Sequence, residues 1–322
     1  EQRSSLSDDF DRRIFPVLTP MAVDPAHPFP YISNLALNLA VIARDPNSGE
    51  KRFARLKIPK NLPRFMRVGS QNHFVLLEDV ISANLSRLFQ GMSIEECFVF
   101  RVSRNADLSL DDEDAEDLLA AVEMELRRRR FGRAVRIEIP LGTTQEVLDL
   151  MCEELELEPS DVTFHNGMIE MNALNQLASL DVAGLRFKPW PPLTAGRLLA
   201  AEYNSQSIFQ VIRERQLLVH HPHESFNSSV EAFVGQAASD PKVHSIKMTL
   251  YRTSGDSSIA KHLVRAAESG KQVAVVLEIK ARFDEARNIA WAKELEYAGV
   301  HVTYGIVGLK THSKCILVVR ED

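Results

Sequence analysis

The spacing of apolar positions changes character near the middle of the chain. In the first half, short period-two runs mix with helical periodicity. "RFARLKIP" (52–59), "NHFVLLEDVI" (72–81), "ECFVFRVSR" (96–104) and "RAVRIEIP" (133–140) contain strand-like alternation or apolar runs. "AEDLLAAVEMELRRRR" (115–130) carries its apolar residues at helical spacing. "TTQEVLDLMCEELE" (143–156) opens on a threonine with a glutamate three residues on, which predicts a helix begun by a capping box. This half reads as α+β.

Three prolines within four positions, in "KPWPPLTAGR" (188–197), interrupt regular structure. Beyond them the rhythm is cleaner. Helices are predicted at 228–239, 258–270 and 285–299, and strands at 243–251, 271–280 (continuous and buried), 300–306 and 312–320. Strand and helix alternate, which predicts an α/β unit with a mostly parallel sheet and helices on both faces. The implied division is 1–195 and 196–322. In such sheets, ligands bind at the carboxyl ends of the strands.

Composition narrows the functional classes. At 322 residues and 45% hydrophobic content the chain can bury two cores. No apolar run reaches the roughly 18 residues of a membrane span, and "EQRSSLSDDFDRR" is too polar for a signal peptide. Three widely spaced cysteines read as reduced thiols of a cytosolic protein. The net charge of −6 argues against a general nucleic-acid binder, yet residues 241–322 hold 13 Lys+Arg against 9 Asp+Glu. That excess permits a local anion site. The runs "DDEDAED" (111–117) and "RRRR" (127–130) bracket the 115–130 helix with the signs its dipole favours, a simpler account than a polyanion groove.

Four residues carry candidate chemistry. Arg252 and Arg282 each follow a predicted strand, so both project toward one rim, where two guanidinium forks can grip phosphate oxygens. Each could instead pair with a neighbour such as Asp256, Asp284 or Glu285. His312 and Lys314 lie two apart at the mouth of the last predicted strand, on one face of it. The lysine can hold phosphoryl oxygens while a neutral imidazole nitrogen attacks phosphorus. Three histidines in "HHPHESF" (220–226) invite a metal reading. They lack a distant ligand partner in the sequence, and a proline turn is the simpler account.

Several longer blocks settle the choice of family. "FPVLTPMAVDPAHPFPYISNLALNLAV" (15–41), "IKMTLYRTSGDS" (246–257), "ARFDEARNIAWAKELEYAGVHVTYG" (281–305) and "GLKTHSKCILVVR" (308–320) resemble bacterial polyphosphate kinases of the long, phospholipase-D-like type. The resemblance covers essentially the whole chain. It implies an α+β head domain with dimer contacts, then the first of two phospholipase-D-like catalytic domains. It further implies reversible transfer of the terminal phosphate of ATP to polyphosphate through a phosphohistidine at His312, assisted by Lys314. The family's magnesium site falls on Arg252 and Arg282. A guanidinium has no lone pair for a cation, so the arginines would hold the phosphate that carries Mg2+.

Phospholipase-D motifs run His-x-Lys-x4-Asp, and Val319 stands at the Asp position here, a loss that polyphosphate kinases share and that favours the kinase over a phosphodiesterase. The resemblance also implies that an N-terminal helical domain and a second catalytic domain lie outside this sequence, so that the chain alone would be inactive. The expected partners are ATP, ADP and inorganic polyphosphate, with no nucleic acid and no membrane span, in a cytoplasmic homo-oligomer (dimer or tetramer) of the parent. Two alternatives stand beside this: a phosphodiesterase of the phospholipase D superfamily, and a non-catalytic module that binds polyanions or mediates assembly.

Overall fold

The computed structural model describes residues 2–23, 28–69, 72–106, 118–128, 131–252, 257–305 and 309–321. The acidic run 111–117, Asp256, Arg129 and Arg130 therefore lie outside the described residues. The chain forms two compact units, residues 1–107 with 128–186, and residues 108–127 with 187–322.

Unit 1 is built on a six-stranded sheet. Its strands are β1 (Pro20–Ala22), β2 (Leu37–Arg44), β3 (Lys51–Lys57), β6 (Ser93–Arg104), β7 (Ala134–Pro140) and β8 (Val162–His165). A separate hairpin pairs β4 (Phe65–Arg67) with β5 (Phe74–Leu76). The sheet order is β1-β3-β2-β6-β7-β8, antiparallel except for β7 beside β8. β2 is buried along nearly its whole length because both of its faces are covered. Leu39 and Val41 pack with Phe10, Leu56 and Ile81 on one side. Ala40 and Ile42 pack with Phe100, Ile137 and Met151 on the other. The helix Gln145–Leu155 covers that second side with Val147, Met151 and Leu155, spaced by four so that they share one stripe.

One local expectation needs correction here. The expected capping box does not form: the Thr143 hydroxyl donates to the Pro140 carbonyl at 3.0 Å, and the Thr144 hydroxyl to Glu96 at 3.0 Å. A local carbonyl takes the Thr143 hydroxyl and a distant carboxylate on β6 takes that of Thr144, so neither caps the helix. The strand-like run within 72–81 is β5, which passes directly into the helix Leu77–Ser82, whose Leu77, Val80 and Ile81 belong to the core.

Unit 2 holds a four-stranded sheet of β9 (Val243–Leu250), β10 (Gln272–Leu277), β11 (His301–Thr303) and β12 (Ile316–Arg320), in the order β11-β10-β9-β12. β9, β10 and β11 run parallel, and β12 runs antiparallel beside β9. The helices do not cover both faces. Ser258–Glu268 and Glu285–Tyr297 contact each other and feed Leu263, Ala266, Ile289, Ala292 and Leu295 into one apolar cluster. The reason is topological. Successive strands step in one direction across the sheet, so two crossovers of the same hand lay both helices on the same face. β10 is accordingly not buried throughout: Val273, Val275 and Leu277 face the helices, while Ala274 and Val276 are half-buried. Truncating a fully buried leucine such as Leu263 to alanine would cost about 2–5 kcal/mol.

Both helices stop where the chain needs a left-handed residue, at Gly270 (φ 82°) and Gly299 (φ 85°). The helix Leu118–Arg128 adds Val122 to the same cluster, and its Glu123 pairs with Lys293. No helix among the described residues is long and apolar enough to cross a membrane.

Candidate active site at the strand ends of unit 2

The antiparallel course of β12 creates the site. β9 and β10 end at one rim of the sheet, and β12 starts there, so residues far apart in sequence converge. His312 and Lys314 are not in a strand, contrary to expectation; they occupy an irregular segment just before Ile316. Regular pairing ends at Ile316 opposite Met248, followed by one further bond from the Thr249 amide to the Cys315 carbonyl at 3.0 Å. From there side chains replace the ladder. The Thr249 hydroxyl donates to the Ser313 carbonyl (2.7 Å) and accepts from the Cys315 amide (2.9 Å). The Glu278 carboxylate, just past the end of β10, accepts from the Thr311 amide at 2.8 Å.

Tyr251 sits at the centre of this arrangement, and sequence reasoning missed it. Its ring meets His312 edge-on, with centroids 4.8 Å apart at 85°. Lys314 Nζ lies 4.8 Å, Lys310 Nζ 5.7 Å and the Arg252 guanidinium carbon 5.6 Å from the same ring centroid. An aromatic face can hold several cations close together where bare contact would repel them. The signal that could have found it is positional: Tyr251 ends the strand run, two residues after Thr249 and directly before Arg252.

A cavity of about 900 Å³ opens beside this ring, lined by Tyr251, Arg252, His312, Lys314 and Cys315. Ser257, Ser258 and Ile259, at the start of the Ser258–Glu268 helix, line its other side. Ser257 caps that helix by accepting from the Ala260 amide at 3.3 Å. The positive end of the helix dipole therefore faces the cavity, a setting that favours anions.

The structure brings three of the four candidate residues to this cavity. His312 and Lys314 are exposed, and the lysine ammonium donates to the His312 carbonyl. Arg252 makes the ion pair weighed above: Nε lies 3.0 Å from Asp284, which Arg287 also contacts at 3.0 Å. Arg252 Nη2 further reaches the Arg282 carbonyl at 3.3 Å. The exposed Arg282 side chain is not among those that line the cavity. It precedes Phe283, a non-glycine residue with φ of 72°, so the turn beyond β10 holds a strained backbone.

A magnesium ion does not fit this set as its direct ligand sphere. Arginine offers no lone pair, the Asp284 oxygens are engaged by two guanidinium groups, and among the described residues no group of three or more His, Cys, Asp or Glu could hold a metal ion. The histidines of 220–223 make tilted and edge-on ring contacts with one another and with neighbours. His220 and His223 centroids are 4.9 Å apart, His223 meets Trp190 and His221 meets Phe226. Phe226 and Asn227, which follow this turn, line the cavity.

The α/β unit thus gathers a histidine, two lysines and an arginine around one aromatic ring beside a helix start, a cationic rim of the kind that favours anionic ligands. The family models for the polyphosphate kinase middle domain and for polyphosphate kinase C-terminal domain 1 match residues 1–177 and 207–322. The chain belongs to the polyphosphate kinase family. It is 49% identical to a polyphosphate kinase of Synechocystis sp. and 48% identical to one of Mycolicibacterium gilvum, in each case over 100% of this chain but only 48% and 45% of the relative. The crystal structure of polyphosphate kinase from Porphyromonas gingivalis matches with a TM-score of 0.79 at 27% identity, covering 100% of this chain and 46% of that one. The chain thus spans about half the length of the relatives it matches.

Proposed function

We propose that unit 2 carries half of the active site of an ATP:polyphosphate phosphotransferase. The observation that supports this most is the placing of His312, Lys314 and Arg252 on one cavity beside a helix N-terminus. A neutral His312 imidazole nitrogen attacks the terminal phosphorus of ATP, and the bond from that phosphorus to the bridging oxygen breaks. ADP leaves with the bond's electron pair, and the phosphohistidine remains. The terminal oxygen of a polyphosphate chain then attacks the phosphohistidine, restoring the imidazole and lengthening the chain by one unit. Lys314, Arg252 and Arg282 neutralise the charge that builds on the phosphoryl oxygens.

In this reading Mg2+ travels on the nucleotide phosphates, since the protein groups present suit those oxygens and not the metal. The partners are ATP, ADP and polyphosphate, with residues outside these 322 supplying the second wall of the cleft. The parent is a cytoplasmic homo-oligomer with dimer contacts through its head; the free cysteines suit such a reducing compartment.

Full-length protein incubated with ATP labelled in its terminal phosphate should acquire acid-labile label on His312. A His312→Ala variant should take up none and lose both synthesis and the reverse reaction. Substantial turnover by that variant would show that another residue is the nucleophile.

A further inference from the structure

The nucleophile of this reading sits on a stretch with no secondary structure of its own. Residues 311–315 are mostly exposed, a poor platform for a group that must meet phosphorus at close range in one direction. Yet anchors bracket His312 on either side. Thr311 is fixed through its amide by Glu278 at 2.8 Å. Ser313 and Cys315 are fixed by the single hydroxyl of Thr249, which donates to one (2.7 Å) and accepts from the other (2.9 Å). Glu278 is itself rigid: only 6% exposed, it also accepts from the Lys280 amide at 3.1 Å. The two strand ends that bear these anchors are tied together by the fully buried Asn288, whose amide donates to the Tyr251 carbonyl (2.8 Å) and the Glu278 carbonyl (2.9 Å).

We infer that Thr249 and Glu278 are positioning residues for phosphoryl transfer, a two-sided clamp that holds the His312 backbone against the rim. The inference rests on the phosphohistidine reading above. The chemistry of the clamp fits the task. A hydroxyl can donate and accept at once, so one threonine replaces the strand ladder where β12 has peeled away from β9. A carboxylate takes amide donors from two directions, which offsets the cost of burying it. Neither group touches the reacting atoms, and Thr249 is only half-buried, so its removal falls on the geometry of His312 more than on the core. With the clamp intact, the imidazole keeps its perpendicular contact with the Tyr251 ring while Lys314 extends over that ring.

The test uses the full-length protein and single-turnover transfer of label from ATP to His312. Thr249→Val keeps the shape and removes the hydroxyl; transfer should slow by about 10²-fold, the scale of a small misplacement at a reacting centre. The KM for ATP should hardly move, and Thr249→Ser should recover most of the rate. Glu278→Gln keeps an acceptor for Thr311 and should slow transfer by roughly tenfold, less than the valine variant. Native transfer rates in both Thr249→Val and Glu278→Gln would overturn the clamp. So would a loss in Thr249→Val that serine fails to rescue while the melting temperature stays native. Label that persists in a His312→Ala control would instead overturn the phosphohistidine reading, and the positioning role with it.

Discussion

Each unit encloses a cavity of similar size, about 930 Å³ in unit 1 and about 900 Å³ in unit 2, and their linings differ in sign and in pairing. The unit 1 cavity is acidic, with Glu78, Asp79, Glu95 and Glu96 in its wall. Three of those carboxylates already have partners: Arg64 for Glu78, Arg44 and Lys51 for Glu95, and the Thr144 hydroxyl for Glu96. At the unit 2 rim, Lys310 and Lys314 donate to the backbone carbonyls of Lys280 and His312, with no carboxylate partner among the described residues. Volume therefore says little about function here. Charges matched to one another hold a fold together, whereas lysines matched by carbonyl oxygens and a ring face keep their net charge available to an anionic ligand.

Breaking a matched charge should give the largest effect. Arg64 is one-tenth exposed and Glu78 2% exposed, and Arg64 also reaches Glu170 at 3.0 Å. Arg64→Ala would strand the Glu78 carboxylate and should lower the stability of unit 1 by about 3–5 kcal/mol in urea titrations. An unchanged midpoint would mean that this pairing is incidental.

Next come the rim arginines. In the full-length protein, Arg252→Ala and Arg282→Ala should each lower the transfer rate by about 2.7–4 kcal/mol of transition-state stabilisation, with ATP affinity less affected. Lysine should rescue poorly, since a point charge lacks the planar fork. Full activity with lysine at both positions would reduce them to generic positive charge.

Charge reversal compares the units more directly. The 322-residue chain should bind polyphosphate weakly, with an affinity that falls as salt rises, and should synthesise none. Lys310→Glu should weaken that binding by roughly tenfold, about one unit of 1.4 kcal/mol. Lys51→Glu in unit 1, an identical change in net charge, should leave it near the native value. Equal losses would show that net charge and not the rim governs binding.

The smallest effect concerns acid. Burial pushes the Glu138 carboxyl up, but Arg101, Arg136 and His165 together hold it below the usual carboxylate range. A carboxylate so depressed stabilises the fold above its unfolded value of about 4.3 and loses that contribution as pH falls through the lower native value. The urea midpoint of unit 1 should therefore drop in this acid window. Glu138→Gln should flatten the drop; an equally steep profile would place the acid sensitivity in other groups.

How much was legible in the sequence follows from the range over which each signal acts. Helical and strand periodicity is set by the next few residues, and so Ser258–Glu268, Glu285–Tyr297, β3, β7 and β9 emerge close to their expected limits. Residue types likewise announce themselves: His312, Lys314, Arg252 and Arg282 stand out because imidazole, ammonium and guanidinium groups have few equals in phosphate chemistry. By contrast, no local pattern states which way a strand runs beside its neighbour. An apolar run such as "CILVV" suits a parallel or an antiparallel partner equally, and only its pairing with β9 placed His312 at the rim where β9 and β10 end. The same holds for helices on one face instead of two, which depends on strand order, and for Thr144, which precedes its helix but gives its hydroxyl to Glu96 on β6. Tyr251, Thr249 and Glu278 are the sharpest case. Alone, each is an ordinary residue near a strand end, and it acquires its place at the site only when distant segments fold against it, because hydrogen bonds and ring contacts depend on separation in space and not along the chain.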